Sequence, residues 1–240
     1  MSKPINPKYL GENGIHRVPL WRIGGFALNN TATNLYMFLM NYLSFYLMGF
    51  VGVGMMLASS FSMIMRLWDG VTDPIVGFLV DKTDGKFGKN RPFIILGNII
   101  LCVSSFILFH VTHLLPEGPI RLVFFVVMSC IYYIGYTCQC VVTKSAQSCV
   151  TNDPKQRPLF TIFNTIGSLA GMGVMQFLGP IIAGDNIAGD YNSTWFAIMT
   201  PIGIAVSVLL TVLAIIGIWE KDQTKYFGLG GKQEQVKVSE

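Results

Sequence analysis

The sequence predicts an all-α membrane protein of six transmembrane helices, and three observations predict it. Hydrophobic residues make up 52% of the 240-residue chain against 12% charged residues, with a mean hydropathy of +0.52, too apolar a balance for a soluble domain of this length. Six apolar stretches, near 23–50, 53–80, 92–115, 120–150, 159–184 and 195–219, are each long enough to span about 30 Å of hydrocarbon. Basic residues collect on one side of those stretches.

Lys3, Lys8, Arg17 and Arg22 precede the first span, and Lys82, Lys86, Lys89 and Arg91 follow the second. Lys155 and Arg157 follow the fourth, and Lys221, Lys225, Lys232 and Lys237 follow the sixth, so fourteen of the seventeen Lys and Arg residues share a side. Only Arg121 lies in an opposite loop, while Arg66 and Lys144 fall inside spans. By the positive-inside rule both termini are expected in the cytoplasm of a multi-pass plasma-membrane protein. The net charge of +4 is then a topology signal and gives no reason to expect nucleic acid as a partner. The polar, Pro-containing first twenty residues do not resemble a cleaved signal, so the first span is expected to direct insertion. The expected organisation is a cytoplasmic segment over 1–22, a six-helix bundle over 23–219 and a cytoplasmic tail or linker over 220–240.

Span one places Asn29, Asn30, Thr31, Thr33, Asn34 and Asn41 among Leu, Met and aromatic residues. Such amides serve either as hydrogen-bonding glue between helices or as contacts for a hydroxyl-rich ligand in a polar cavity. Span two carries Arg66, Asp69 and Asp73 at spacings of three and four, which places them on one helical face. At about 1.5 Å per residue, Asp69 lies roughly 18 Å and Asp73 roughly 12 Å from the loop that opens at Asp81. Ionisable groups at that depth are costly unless paired, hydrated or bound to an ion, so they mark a functional site. Trp68 is expected to face the interior near Asp69, whereas Trp21, Trp195 and Trp219 sit near span ends as interface anchors do.

The loop from Asp81 to Arg91 is crowded with charge, contains Gly85 and Gly88, and ends in Arg91-Pro92, where proline suits a helix start. Arg157-Pro158 repeats that junction before span five. Both junctions are expected to act as gate latches whose charges break and re-form. Span four is polar in its second half, with Tyr132, Tyr133, Tyr136, Thr137, Gln139, Thr143 and Lys144. Lys144 either snorkels to the interface or faces a cavity and pairs with a carboxylate or an anionic substrate. Span five carries Asn164 and Gly167, Gly171 and Gly173, the small residues of close helix packing. Span six is apolar. The five cysteines all fall in spans, at spacings that suit neither a redox pair nor zinc, and read as packing residues.

Arg66-Leu-Trp68-Asp69-x-x-x-Asp73-Pro74-x-x-Gly77, followed by Asp81 and Gly88-Lys89-x-Arg91-Pro92, resembles the signature of the glycoside–pentoside–hexuronide:cation symporters, typified by melibiose permease, within the major facilitator superfamily. The resemblance implies one half, the N-terminal bundle, of a twelve-helix fold. It implies cation binding by Asp69 and Asp73, with Thr72 and Thr137 as further oxygen ligands and Arg66 tuning their charge. Hard oxygen donors suit Na+, and buried carboxylates can instead carry H+. Asp81, Gly85, Gly88, Lys89 and Arg91, with Arg157, would form the gating loops. The implied substrate positions are Asn29, Cys140, Lys144 and Asn164, and Asn30, Asn34 and Tyr136 join them on the same cavity. Amides in place of the family's carboxylates, and an added lysine, lead to the expectation of an acidic sugar such as a hexuronide.

The expected function is cation-coupled transport of a sugar, glycoside or hexuronide, with a second half supplied by a homodimer or a separate partner. A non-transporting fragment, scaffold or sensor is the alternative from another class, and a lysolipid carrier is a further transport alternative. No HExxH or GxSxG motif is present, and His16, His110 and His113 are scattered, so neither an enzyme nor a cofactor beyond the coupling ion is expected.

Overall fold

The computed structural model describes residues 17–52, 54–83, 87–151, 153–219 and 222. Gly85 and His16 lie outside the described residues, as do residues 1–16 of the expected N-terminal segment and all but Asp222 of the expected tail. The described chain is all helical: α1 (Leu20–Asn41), α2 (Leu43–Tyr46) running into a π-helical turn (Leu47–Val51), α3 (Met55–Lys82), α4 (Arg91–His110) with a short 3-10 turn (Thr112–Leu114), α5 (Pro119–Ser145), α6 (Gln147–Val150), α7 (Arg157–Ala183) and α8 (Ser193–Ile218).

Six of these helices are long. Among the described residues, four segments are long and apolar enough to cross a membrane: Arg91–Leu114, Pro119–Val150, Arg157–Ala183 and Ser193–Ile218. α1 and α3 have the length, at 22 and 28 residues, but lower hydropathy. The physical reason is the one the sequence displays: amides interrupt α1, and Arg66, Asp69 and Asp73 interrupt α3.

Boundaries follow local chemistry. Proline occupies the first turn of α4, α5 and α7, where its missing N–H has no helical partner to lose. Asn192 caps α8, its side-chain oxygen accepting from the backbone N–H groups of Thr194 (3.0 Å) and Trp195 (3.2 Å). The first span, expected to run unbroken to residue 50, breaks at Tyr42 instead. The Tyr42 backbone (φ −91°, ψ 4°) leaves the helical well and its ring stacks into an aromatic layer with Tyr191 and Trp195, at centroid distances of 5.2 and 4.7 Å. α1 also begins at Leu20, inside the segment 1–22 read as preceding the bundle.

α1 is central. It packs along α8, α7 and α5, while α4 is sandwiched between α5 and α8 and α3 lies along α5. Small residues permit the closest approach. A Cβ on Gly135 would sit 2.8 Å from Ile100 Cγ2, and one on Gly97 would sit 3.0 Å from the Gly135 carbonyl, so α4 and α5 cross almost backbone to backbone. Gly167 and Gly171 face Thr31 in the same way, whereas Gly173 meets nothing within 4 Å and is not a packing glycine.

Polar interior groups are tied across helices. Asn98 Nδ2 donates to Thr211 Oγ1 (2.9 Å), Ser207 Oγ donates to the Ala32 carbonyl (3.1 Å), and Gln139 Nε2 donates to the Ile94 carbonyl (2.7 Å). Arg121, read from sequence as a loop charge, is buried at the start of α5. Its guanidinium donates to the backbone carbonyls of Phe50, His113 and Leu115, tying three segments at that end of the bundle. All five cysteines are free.

Candidate functional site

Of the deep charges of α3, Asp69 faces α5. Thr137 is fully buried, and its hydroxyl donates to Asp69 Oδ1 at 2.7 Å. Thr72, one turn along α3, places its Oγ1 2.9 Å from Thr137 Oγ1 and 3.0 Å from the Asp69 carbonyl. A hydroxyl has one proton. With the Thr137 proton committed to Asp69, the single Thr72 proton is shared between the Asp69 carbonyl and Thr137 Oγ1. Asp69 Oδ1, Thr137 Oγ1 and Thr72 Oγ1 therefore form a connected oxygen cluster bridging two helices, of the kind that suits a hard cation.

Asp73 lies one turn further along α3, half-buried and without a hydrogen bond among the described residues. Pro74 follows it and has no N–H, so the Gly70 carbonyl loses its helical donor and is another oxygen near the cluster. Trp68 Nε1 donates to the Cys130 carbonyl on α5 at 3.3 Å, which pins α3 to α5 one residue from Asp69. Arg66 and Lys144 are both exposed, and neither makes a hydrogen bond or ion pair among the described residues. The expected pocket shared by Arg66 and the two aspartates is thus not closed by an ion pair. No group of three or more His, Cys, Asp or Glu side chains that could hold a metal occurs among the described residues, so hydroxyl and carbonyl oxygens would have to complete any shell.

The amides of α1 divide between two seams. Asn29 is fully buried and its Nδ2 donates to Thr143 Oγ1 on α5 (2.9 Å). Asn30 and Asn34 are half-buried, and both donate to Ser168 Oγ on α7, at 2.9 and 2.7 Å. Two donors fill both lone pairs of that hydroxyl. These amides act as interhelical glue in the structure, the first of the two readings that the sequence left open. Tyr136, Cys140 and Asn164 are half-buried, and the Asn164 side-chain oxygen has no hydrogen-bond partner. Ser168 was not singled out from sequence; its only signal was a hydroxyl beside Gly167.

At the opposite end of α3, Lys89 pairs with exposed Asp81 at 2.7 Å. Gly88 has φ +98°, a backbone that favours glycine. Arg91 is buried, lying 3.4 Å from Asp222 and over the Trp219 ring at 4.8 Å. Arg157 is exposed without a partner among the described residues. In its loop the contacts are made by neighbours: Asp153 Oδ2 accepts from Arg17 Nε at 2.6 Å, and Gln156 exchanges two hydrogen bonds with the Val18 backbone. The carboxyl of Asp153 is held below the usual carboxylate range, first by the backbone N–H of Lys155 and then by Arg17.

Comparison with known proteins places this geometry in a family. Residues 25–237 match the family described as MFS/sugar transport protein. The Escherichia coli (strain K12) protein YagG, named for glycoside/cation symport, is 28% identical over 197 residues, covering 78% of this chain and 41% of YagG. The isoprimeverose transporter of Lactiplantibacillus pentosus is 23% identical over 223 residues, covering 88% of this chain and 45% of that protein. The sodium-dependent lysophosphatidylcholine symporter 1-B of Danio rerio is 25% identical over 212 residues, covering 76% of this chain and 40% of that protein. The chain spans about two fifths of the length of these relatives. With the motif of α3, its oxygen cluster and a match along nearly the whole chain in agreement, the chain belongs to the MFS/sugar transport protein family.

Proposed function

We propose that this chain is a six-helix half of a cation-coupled symporter for a sugar or glycoside, in which the α3–α5 oxygen cluster binds the coupling ion. The observation that carries the reading is the Thr137 hydroxyl on the Asp69 carboxylate at 2.7 Å, inside helices otherwise built for hydrocarbon. An ionised carboxylate there needs compensation, and a cation supplies it. Asp69, Asp73, Thr72 and Thr137 would hold Na+ or carry H+. Arg66 would set the local charge. Substrate would meet the free face formed by Tyr136, Cys140, Lys144 and Asn164, with Asn30 and Asn34 at its α1–α7 edge.

α1 and α3 join the four apolar segments as spans, with both termini in the cytoplasm of a plasma-membrane protein, as the basic residues indicate. One bundle provides one wall of a cavity, so transport by alternating access requires a second bundle from another copy or a partner. The unpaired cations Arg66 and Lys144 favour an acidic sugar. A lysolipid is the second reading, because two relatives are named as lysophosphatidylcholine symporters; the phosphate of such a head would use the same lysine.

Uptake into proteoliposomes under separate Na+ and H+ gradients tests the proposal, with the chain supplied alone and with its second half. Gradient-dependent uptake of a glycoside or hexuronide, lost in Asp69→Asn, is expected. Uptake indifferent to both gradients or to Asp69→Asn would refute it. Unchanged uptake of an acidic sugar in Lys144→Ala would remove the acidic-substrate assignment.

A further inference from the structure

Asp222 is 1% exposed, although it follows the last long helix and belongs to a segment the sequence assigns to a solvated tail. Its carboxylate accepts from the backbone N–H of Asn90 (2.9 and 3.0 Å to its two oxygens), from the backbone N–H of Arg91 (2.8 Å) and from Asn90 Nδ2 (2.9 Å). Its own carbonyl accepts from the Lys89 backbone N–H at 3.0 Å. The guanidinium of Arg91 lies 3.4 Å from the same carboxylate, an ion pair without a hydrogen bond, and is itself stacked over Trp219. These N–H groups open α4, so the carboxylate from beyond α8 neutralises the start of α4 as an N-terminal cap would.

The same turn reaches α5 and α6. Asn90 Oδ1 accepts from Ser145 Oγ at 2.8 Å, and Asn90 Nδ2 approaches Cys149 Sγ at 3.6 Å. Lys89 Nζ reaches Asp81 in the last turn of α3. Gly88 is required for a steric reason besides its φ, since a Cβ there would collide with the Asp222 carboxylate. Asp222 thus ties the chain beyond α8 directly to the start of α4, and reaches α5 through Asn90 and α3 through Lys89.

We propose that Asp222 is a positioning residue: it clamps the 88–91 turn as a fixed joint, and that joint, bonded to Ser145 of α5 and followed by Ile94, which shares a buried cluster with Val76 and Val80 of α3 and Val142 of α5, holds α3 and α5 in the register that brings Asp69 to Thr137. This replaces the expectation that Gly88 and Arg91 belong to a latch that breaks and re-forms. A carboxylate that is fully desolvated and fully hydrogen-bonded is costly to open, whereas the Lys89 pair with exposed Asp81, and Arg157, without a partner among the described residues, are not. The inference rests on the transporter reading for its ion site.

Amide hydrogen exchange of residues 87–93, measured on the full chain in nanodiscs with Na+ and with choline replacing it, tests the clamp, alongside Na+ and proton titration of the ion site. In the wild type, exchange at Asn90 and Arg91 should be slow and the same in both media. Asp222→Asn should accelerate it by about tenfold or more and weaken cation binding several-fold, although residue 222 does not touch the ion. Ser145→Ala, which removes one bond to Asn90, should do both to a smaller degree and serves if Asp222→Asn does not fold. Wild-type exchange that changes with Na+ would mean a latch, and faster exchange with unchanged cation affinity would mean a merely structural cap; either overturns the proposal. If the wild type binds neither Na+ nor H+, the transporter reading fails instead, and amide exchange still decides whether Asp222 is a fixed clamp.

Discussion

Thr137→Val replaces the buried hydroxyl that faces Asp69 with a methyl of nearly the same size. It removes the 2.7 Å bond to the carboxylate and leaves Thr72 without its 2.9 Å partner. A hydrogen bond to a charged group contributes about 1.5–3 kcal/mol, which corresponds to a roughly 10- to 150-fold change in an equilibrium constant. Two processes compete for that energy. If the cluster serves only to join α3 to α5, the loss appears in stability, reduced because half-buried Asp69 can recover water. If the cluster binds the ion, Thr137 is a ligand and the loss appears in cation affinity. An ion-binding cluster predicts the second: cation affinity falls by about tenfold or more, while the melting temperature moves by only a few degrees. Thr137→Ser, which keeps the oxygen, restores affinity. Cation titration and thermal unfolding of the same nanodisc samples separate the two. A stability loss with affinity unchanged, or affinity that Ser does not restore, would refute the assignment of Thr137 as an ion ligand.

Asn29→Ala removes a fully buried bond to Thr143, whose hydroxyl keeps only the Gln139 carbonyl, and should lower stability by about 1–3 kcal/mol in detergent unfolding, more than Asn30→Ala, where the amide is half-buried and its partner Ser168 keeps Asn34. Gly135→Val forces a branched side chain into a gap where even Cβ lies 2.8 Å from Ile100, and should cost about 1–3 kcal/mol or more with a fall in folded yield. Asp153, whose folded carboxyl titrates below its unfolded value, contributes stability that is present at neutral pH and lost as pH falls below about 4. The melting-temperature gap between wild type and Asp153→Asn should therefore be open at pH 7 and narrow as pH falls below about 4; a gap that widened on acidification would contradict the contact with Arg17.

The helical stretches and the α3 motif were legible because hydropathy and period are local properties. Asp69, Thr72 and Asp73 share a face of one helix, and their spacing displays it. The partners of the α1 amides were not legible. Asn29, Asn30 and Asn34 lie within two turns of one helix yet point to α5 and α7 respectively, and only the rotation of α1 among its neighbours decides which. Asp222 was hidden for a different reason: a lone acid after an apolar span looks like any solvated residue until the chain folds back onto the start of α4. The break at Tyr42 likewise depends on Tyr191 and Trp195, about 150 residues away. Arg121 shows the converse error, since a charge beside a loop looked solvated but serves as a buried donor to carbonyls.

The most direct measurement uses Trp68, which adjoins Asp69 and is held by the Cys130 carbonyl. Its fluorescence, taken as the difference between the chain and its Trp68→Phe variant, can be titrated with Na+ at fixed pH and with acid in the absence of Na+. A cation site built on Asp69 and Thr137 predicts a saturable response to one of the two cations that disappears in Asp69→Asn. A signal that responds to neither cation, or that is identical in Asp69→Asn, would contradict it.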